Sequence, residues 1–115
     1  MADAIKITGG SYCCDITITG EVSSDKIIAC HRTDCQKFNG APFRAVAVIA
    51  ADGAKISGTV TEFLKISESG NERVHGFCGK CGSHLYATDP AKTLFMIRTG
   101  CHDQHHELVP AKHIF

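Results

Sequence analysis

Two cysteines spaced C-x-x-C, in the segment Phe77-Cys78-Gly79-Lys80-Cys81-Gly82, constrain this chain more than any other feature of its sequence. Thiolates at that spacing can share one tetrahedral zinc ion at about 2.3 Å each. Gly79 and Gly82 suit the tight turn that directs backbone N–H groups at the sulfurs. The segment therefore reads as a zinc knuckle. A thioredoxin-like redox pair uses the same spacing, but it opens a helix within a βαβ unit, which these flanks do not suggest. Two plain buried cysteines are the remaining reading.

The other cysteines must be placed around that knuckle. The chain has seven, at positions 13, 14, 30, 35, 78, 81 and 101, an odd number that excludes a complete internal disulfide framework. Met1-Ala2-Asp3-Ala4-Ile5-Lys6 carries an acid where a signal peptide needs positive charge, so a cytoplasmic, reducing setting is expected. There, clustered cysteines bind metal or do thiol chemistry more often than they cross-link a fold. A chain of 115 residues without Trp also gains from a structural metal, because a small domain buries a smaller share of its surface.

One knuckle supplies two ligands, and a closed site needs about two more. Cys13-Cys14, beside Gly9-Gly10, is the natural donor. On a strand the pair would point to opposite faces, so one ligates and the other packs or stays free. Cys13 is the expected ligand, and the fourth position falls to Cys14 through a distorted turn, to a His, or to water.

Cys30-His31-Arg32-Thr33-Asp34-Cys35 forms a second, polar cluster on an expected strand-to-helix corner. A helix N-terminus and a neighbouring guanidinium both favour thiolate, so Cys30 or Cys35 is a candidate nucleophile or metal ligand. The plainer reading is that Cys30 ends the apolar strand Ile27-Ile28-Ala29-Cys30 and is simply buried. His102, His105 and His106 crowd one stretch, and these histidines are expected to be solvated or packed.

Composition narrows the class. Twelve Lys and Arg balance twelve Asp and Glu, which argues against phosphate-backbone binding, since that draws on excess positive charge. The longest wholly apolar run, Ala45 to Ala51, is far short of the roughly 20 residues that span a bilayer, so neither a nucleic-acid nor a membrane partner is expected. Turn signals recur at Gly9-Gly10, Gly20, Asp52-Gly53, Ser69-Gly70-Asn71, Asp89-Pro90, Gly100 and Pro110, leaving short elements between them. Ile16 and Ile18 alternate with Thr17 and Thr19, and Ala45 to Ala50 is a short β-rich run. Thr61 to Ser67, Arg73 to Phe77, Leu85 to Thr88 and Thr93 to Thr99 are further strand candidates. One or two helical turns are expected from Thr33 to Phe38, with Thr33 as N-cap. The fold is expected to be mainly β, with residues 1–115 forming one domain.

Taken together, three segments resemble the glutathione-dependent formaldehyde-activating enzyme (Gfa-like) family. They are Thr8-Gly9-Gly10-Ser11-Tyr12-Cys13, Cys30 through Phe43, and Phe77 through Tyr86, within a match running from Thr8 to Phe115. The resemblance implies a small β-tent of short antiparallel strands around the knuckle. It also implies a structural zinc held by an early C-x-C and the late C-x-x-C, and a second, catalytic zinc held by C-x-C-x-x-C. This sequence departs from both patterns. Ser11 stands where the first Cys belongs, leaving Cys13, Cys78 and Cys81 as matched structural ligands with Cys14 beside the gap. Arg32 replaces the middle Cys of the second motif, leaving Cys30 and Cys35. Arg32 offers no lone pair and repels a cation.

The implied activity is carbon–sulfur lyase chemistry on an adduct between glutathione and a small aldehyde. Cys30 and Cys35 would be the reactive or metal-binding groups, with Arg32 holding a substrate carboxylate. Two alternatives stand beside it: a non-catalytic, zinc-stabilised binding module, and a Cys30/Cys35 pair cycling between dithiol and disulfide.

Overall fold

The computed structural model of the chain describes residues 3–66 and 70–114. Among the described residues, ten strands and one short α-helix run in the order β1 Ala4–Gly10, β2 Thr17–Ser23, β3 Ile27–Cys30, α1 Thr33–Asn39, β4 Arg44–Ala50, β5 Ala54–Ser57, β6 Thr61–Ile66, β7 Glu72–Phe77, β8 His84–Thr88, β9 Leu94–Arg98 and β10 Lys112–Ile114. A three-stranded sheet has the order β1-β2-β5, and a seven-stranded sheet the order β10-β3-β4-β9-β8-β7-β6.

The alternation read from the sequence sets the faces of the small sheet. Ile18 and Val22 on β2 point into the core while Thr17, Thr19 and Glu21 face solvent, the two-residue period of a half-buried strand. The apolar run of β4 behaves differently, because it lies between β3 and β9 and is covered on both faces. Val46, Ala47 and Ile49 are all buried there. Ile7 and Ile18 from the small sheet meet Ala47, Leu85 and Ile97 from the large one in a single core. That shared core places the β1–β2 turn beside the β7–β8 turn.

Several elements depart from the sequence reading. Gly9-Gly10 and Gly20 lie within β1 and β2 rather than at turns. Gly9 is there because its backbone bridges to His102, and a β-carbon would sit 2.0 Å from the Cys101 carbonyl oxygen. Cys13 and Cys14 occupy the β1–β2 turn instead of a strand, since the Ser11 N–H donates to the Ile16 carbonyl and the Cys14 N–H to the Ser11 carbonyl. The N-cap of α1 is Arg32, in extended conformation and without a side-chain cap, and Thr33 is the first helical residue. The helix stops where Gly40 turns left-handed (φ 66°) and its N–H donates to the Gln36 carbonyl, a common C-terminal device.

The strands pair antiparallel with one exception, β10 on β3, which is parallel. A parallel partner needs a long crossover, here supplied by the chain between β3 and residue 112. Strand β1 alternates Ile5 and Ile7 with Lys6 and Thr8, and β5 alternates Ala54 and Ile56 with Lys55 and Ser57, yet neither is among the strands expected above. Ser67, at the end of one expected strand, Ser69 in an expected turn, and Phe115 lie outside the described residues. Among the described residues no helix is long and apolar enough to cross a membrane.

Candidate metal and thiol sites

The first site joins two turns. In the β7–β8 turn the Cys78 N–H donates to the Ser83 carbonyl at 2.9 Å, and the Gly82 N–H donates to the Cys78 carbonyl at 2.8 Å. Gly82 is left-handed there, with φ 79°, a conformation glycine adopts without strain. Tyr12 of the β1–β2 turn donates its N–H to Ser83 Oγ at 2.9 Å, so the two turns are stitched together. The result brings the sulfurs of Cys13, Cys78 and Cys81 within 4.8 Å of one another, a group that could hold a metal ion. Cys13 and Cys78 Sγ are 3.6 Å apart. Two sulfurs on one tetrahedral zinc lie about 3.8 Å apart, as 2.3 Å bonds dictate, so this donor set fits such an ion.

The electrostatics of the group are uneven. Hydrogen bonds from the Ser83 hydroxyl, 3.1 Å away, and from the Ser83 backbone pull the Cys81 thiol down to about 6, so it is a ready thiolate. For Cys13, the Ser11 contact pulls downward, but desolvation and the neighbouring Cys78 and Cys81 leave its pKa raised. The Cys13 thiol, beside the Cys81 thiolate, resists ionisation until a cation arrives. Cys14 stays outside the group. Its backbone is left-handed (φ 71°), and its exposed thiol approaches the Tyr12 carbonyl at 3.9 Å. Ser11 is buried, and its hydroxyl accepts from the Ile16 N–H at 3.1 Å, which closes the loop.

The second site lies across the large sheet. Cys30 ends β3 and Cys35 sits in the first turn of α1; both are buried. Cys35 Sγ donates to Cys30 Sγ at 2.8 Å. Burial, and then the Cys30 contact, push the Cys35 thiol up to about 11. Arg44 is the register partner of Cys30 on β4. The two thiols line a cavity of about 260 Å³ together with Arg32, Arg44, Arg73 and His75, with Lys65 and Asp34 also on its wall. Neither the number of donors nor their spacing suits a tetrahedral ion. The sulfurs are about 1 Å too close, and among the described residues no third Cys, His, Asp or Glu completes a ligand group with them.

Arg44 and His75 are site residues that the sequence did not reveal. Arg44 is only 8% exposed, and its Nε has no hydrogen-bond partner among the described residues. His75 likewise buries an unpartnered Nδ1. Burial first, and then the Arg44 charge, hold its pKa down to about 4, so the ring is neutral at pH 7. Phe38 of α1 stacks on His75 with ring centres 4.4 Å apart and meets His84 at 4.5 Å. The available signal was a charged residue, Arg44, opening a run that is otherwise apolar and destined for the middle of a sheet. Of the remaining histidines, His102 is packed in the interior, whereas His105 and His106 are exposed. Cys101 is tied by its thiol to the His84 carbonyl at 3.0 Å.

A family model described as glutathione-dependent formaldehyde-activating enzyme matches residues 6–115. The crystal structure of a Rhodobacter sphaeroides protein, a structural-genomics target, superposes with a TM-score of 0.69, covering 93% of this chain and 99% of that one at 13% sequence identity. At that identity the likeness is one of fold.

Proposed function

Since the chain belongs to the glutathione-dependent formaldehyde-activating enzyme family, we propose that its thiol-lined basic cavity takes the adduct of glutathione with a small aldehyde, and that Cys13, Cys78 and Cys81 hold a structural zinc ion. The observation that carries the first part is Arg44, a buried guanidinium on the cavity wall whose Nε has no partner among the described residues. A buried cationic donor left without a partner is costly. An anionic ligand supplies the missing acceptor, and glutathione, with two carboxylates and one ammonium, is such an anion. Zinc at the first site would cross-link the β1–β2 and β7–β8 turns and add folding energy.

The chemistry proceeds without a metal in the cavity. In the adduct, one carbon carries both the thioether sulfur and a hydroxyl. Neutral His75 accepts the hydroxyl proton, the oxygen lone pair forms the aldehyde C=O, and the C–S bonding pair leaves on sulfur. The cavity's guanidinium groups stabilise that thiolate as it forms, and the Cys35 thiol passes a proton to it and is itself reprotonated by the His75 imidazolium, so the proton taken from the hydroxyl ends on the released thiol. The products are a free thiol and an aldehyde, a carbon–sulfur lyase reaction with no change of oxidation state. Arg32 at the cavity mouth favours a second reading, a binding module without turnover, because it removes the third thiolate of the family's catalytic site.

Mixing purified protein with a glutathione–formaldehyde adduct distinguishes these readings. The lyase reading expects release of formaldehyde faster than in buffer, and loss of that acceleration in Cys35→Ser. Saturable binding without acceleration supports the module. Absence of both binding and turnover overturns the assignment of the cavity.

A further inference from the structure

Cys30 and Cys35 are closer together than two ligands of one ion and close enough to bond to each other after a small movement. Their sulfurs stand 2.8 Å apart, and the link between them, residues 31–34, is short and enters the first helical turn. Both cysteines line one cavity, so a ligand bound there lies beside the pair. Among its described residues the same wall carries Arg32, Arg44, Lys65 and Arg73 against one acid, Asp34, and the buried Arg44 brings an Nε without a partner among the described residues. This combination calls for a ligand with acceptor oxygens and a sulfur.

We infer that Cys30 and Cys35 are a redox-active dithiol that reduces an anionic small-molecule disulfide held in this cavity, of which oxidised glutathione is the representative. One cysteine loses its proton and attacks a sulfur of the bound disulfide. The disulfide bond breaks, a mixed disulfide forms, and the first small thiol leaves with a proton. The second cysteine then loses its proton and attacks the cysteine sulfur of the mixed disulfide, and the second small thiol leaves with a proton. The two cysteines give up two electrons and two protons and end as one Cys30–Cys35 disulfide. The substrate gains them and ends as two thiols. The inference needs the cavity but not adduct cleavage, which involves no oxidation, so the two activities fail separately.

The test mixes reduced, desalted protein with oxidised glutathione, counts the glutathione released, and locates disulfides by peptide mapping. The expected result is two glutathione molecules released per chain and a Cys30–Cys35 linkage. Uncharged 2-hydroxyethyl disulfide should react about tenfold more slowly, the difference that one charge-assisted contact makes. Of Cys30→Ala and Cys35→Ala, one should stop at a mixed disulfide with a single glutathione released, and the other should release none from this site. If either variant fails to fold, mapping of the wild-type protein decides by itself. Cys30 and Cys35 remaining as thiols, linkages confined to Cys13, Cys14, Cys78 and Cys81, or equal rates with charged and uncharged disulfides would each overturn the inference.

Discussion

Cys13 and Cys78 are separated by 65 residues in sequence, yet their sulfurs stand 3.6 Å apart, because the two turns that carry them are bound together at Tyr12 and Ser83. That hydrogen bond alone is worth little in water, roughly 1 kcal/mol. A metal bridging the same turns is worth far more, about 10–16 kcal/mol in small zinc peptides. Cys78→Ser is therefore expected to lower stability by several kcal/mol and to abolish metal uptake. Cys14→Ser, whose thiol lies outside the group, should change stability by no more than about 0.5 kcal/mol. Thermal melting of both variants, with and without chelator, measures the contrast; equal melting temperatures would remove the structural role of the group.

Acid should destabilise the fold through its buried histidines. His102 is 1% exposed, neither ring nitrogen has a partner among the described residues, and burial holds its pKa down to about 4. The folded state thus binds fewer protons than the unfolded state between about pH 6.5 and pH 4, and stability falls as pH drops through that window. The contribution of His102 is on the order of 2–3 kcal/mol. Metal release from the thiols acts in the same direction, so the informative quantity is the difference between wild type and His102→Gln. Denaturant unfolding at several pH values should show a shallower acid decline in the variant. Parallel curves would contradict the assignment.

Gly9→Ala tests the contact that ties β1 to the chain after β9. The added carbon would sit 2.0 Å from the Cys101 carbonyl oxygen and 2.8 Å from His102 Cα, both backbone atoms that cannot swing aside. The expected loss is about 1–3 kcal/mol or more. At Gly100, where a β-carbon meets nothing within 4 Å, alanine should be tolerated. Chemical denaturation of the two variants makes the comparison, and equal midpoints would show that the bridge is loose in solution.

Much of this architecture was legible in the residues, and the exceptions have physical causes. Period-two alternation announced β2, and the apolar run announced β4, because both patterns follow from which faces are covered. Strand β1 was hidden by Gly9 and Gly10, which look like turn residues until the close approach of Cys101 and His102 explains them. The choice of Cys13 over Cys14 came from facing geometry on a strand. The structure instead separates them by a turn in which Cys14 takes a left-handed backbone. C-x-x-C spacing is a local signal and could be read directly. The cavity is not local: Cys30, Arg44, Arg73 and His75 come from three strands, and only sheet order brings them together.

The central claim is that the two cysteine groups differ in kind: one binds a metal ion and the other does not. Metal content per chain, measured on protein purified without added zinc and paired with alkylation mapping of the native thiols, tests this most directly. The account predicts one zinc ion per chain, with Cys13, Cys78 and Cys81 protected and with protection lost on chelation. Chelation should leave the state of Cys30 and Cys35 unchanged. Two zinc ions per chain with chelator-sensitive protection of Cys30 and Cys35, or a folded chain with no zinc at all, would contradict it.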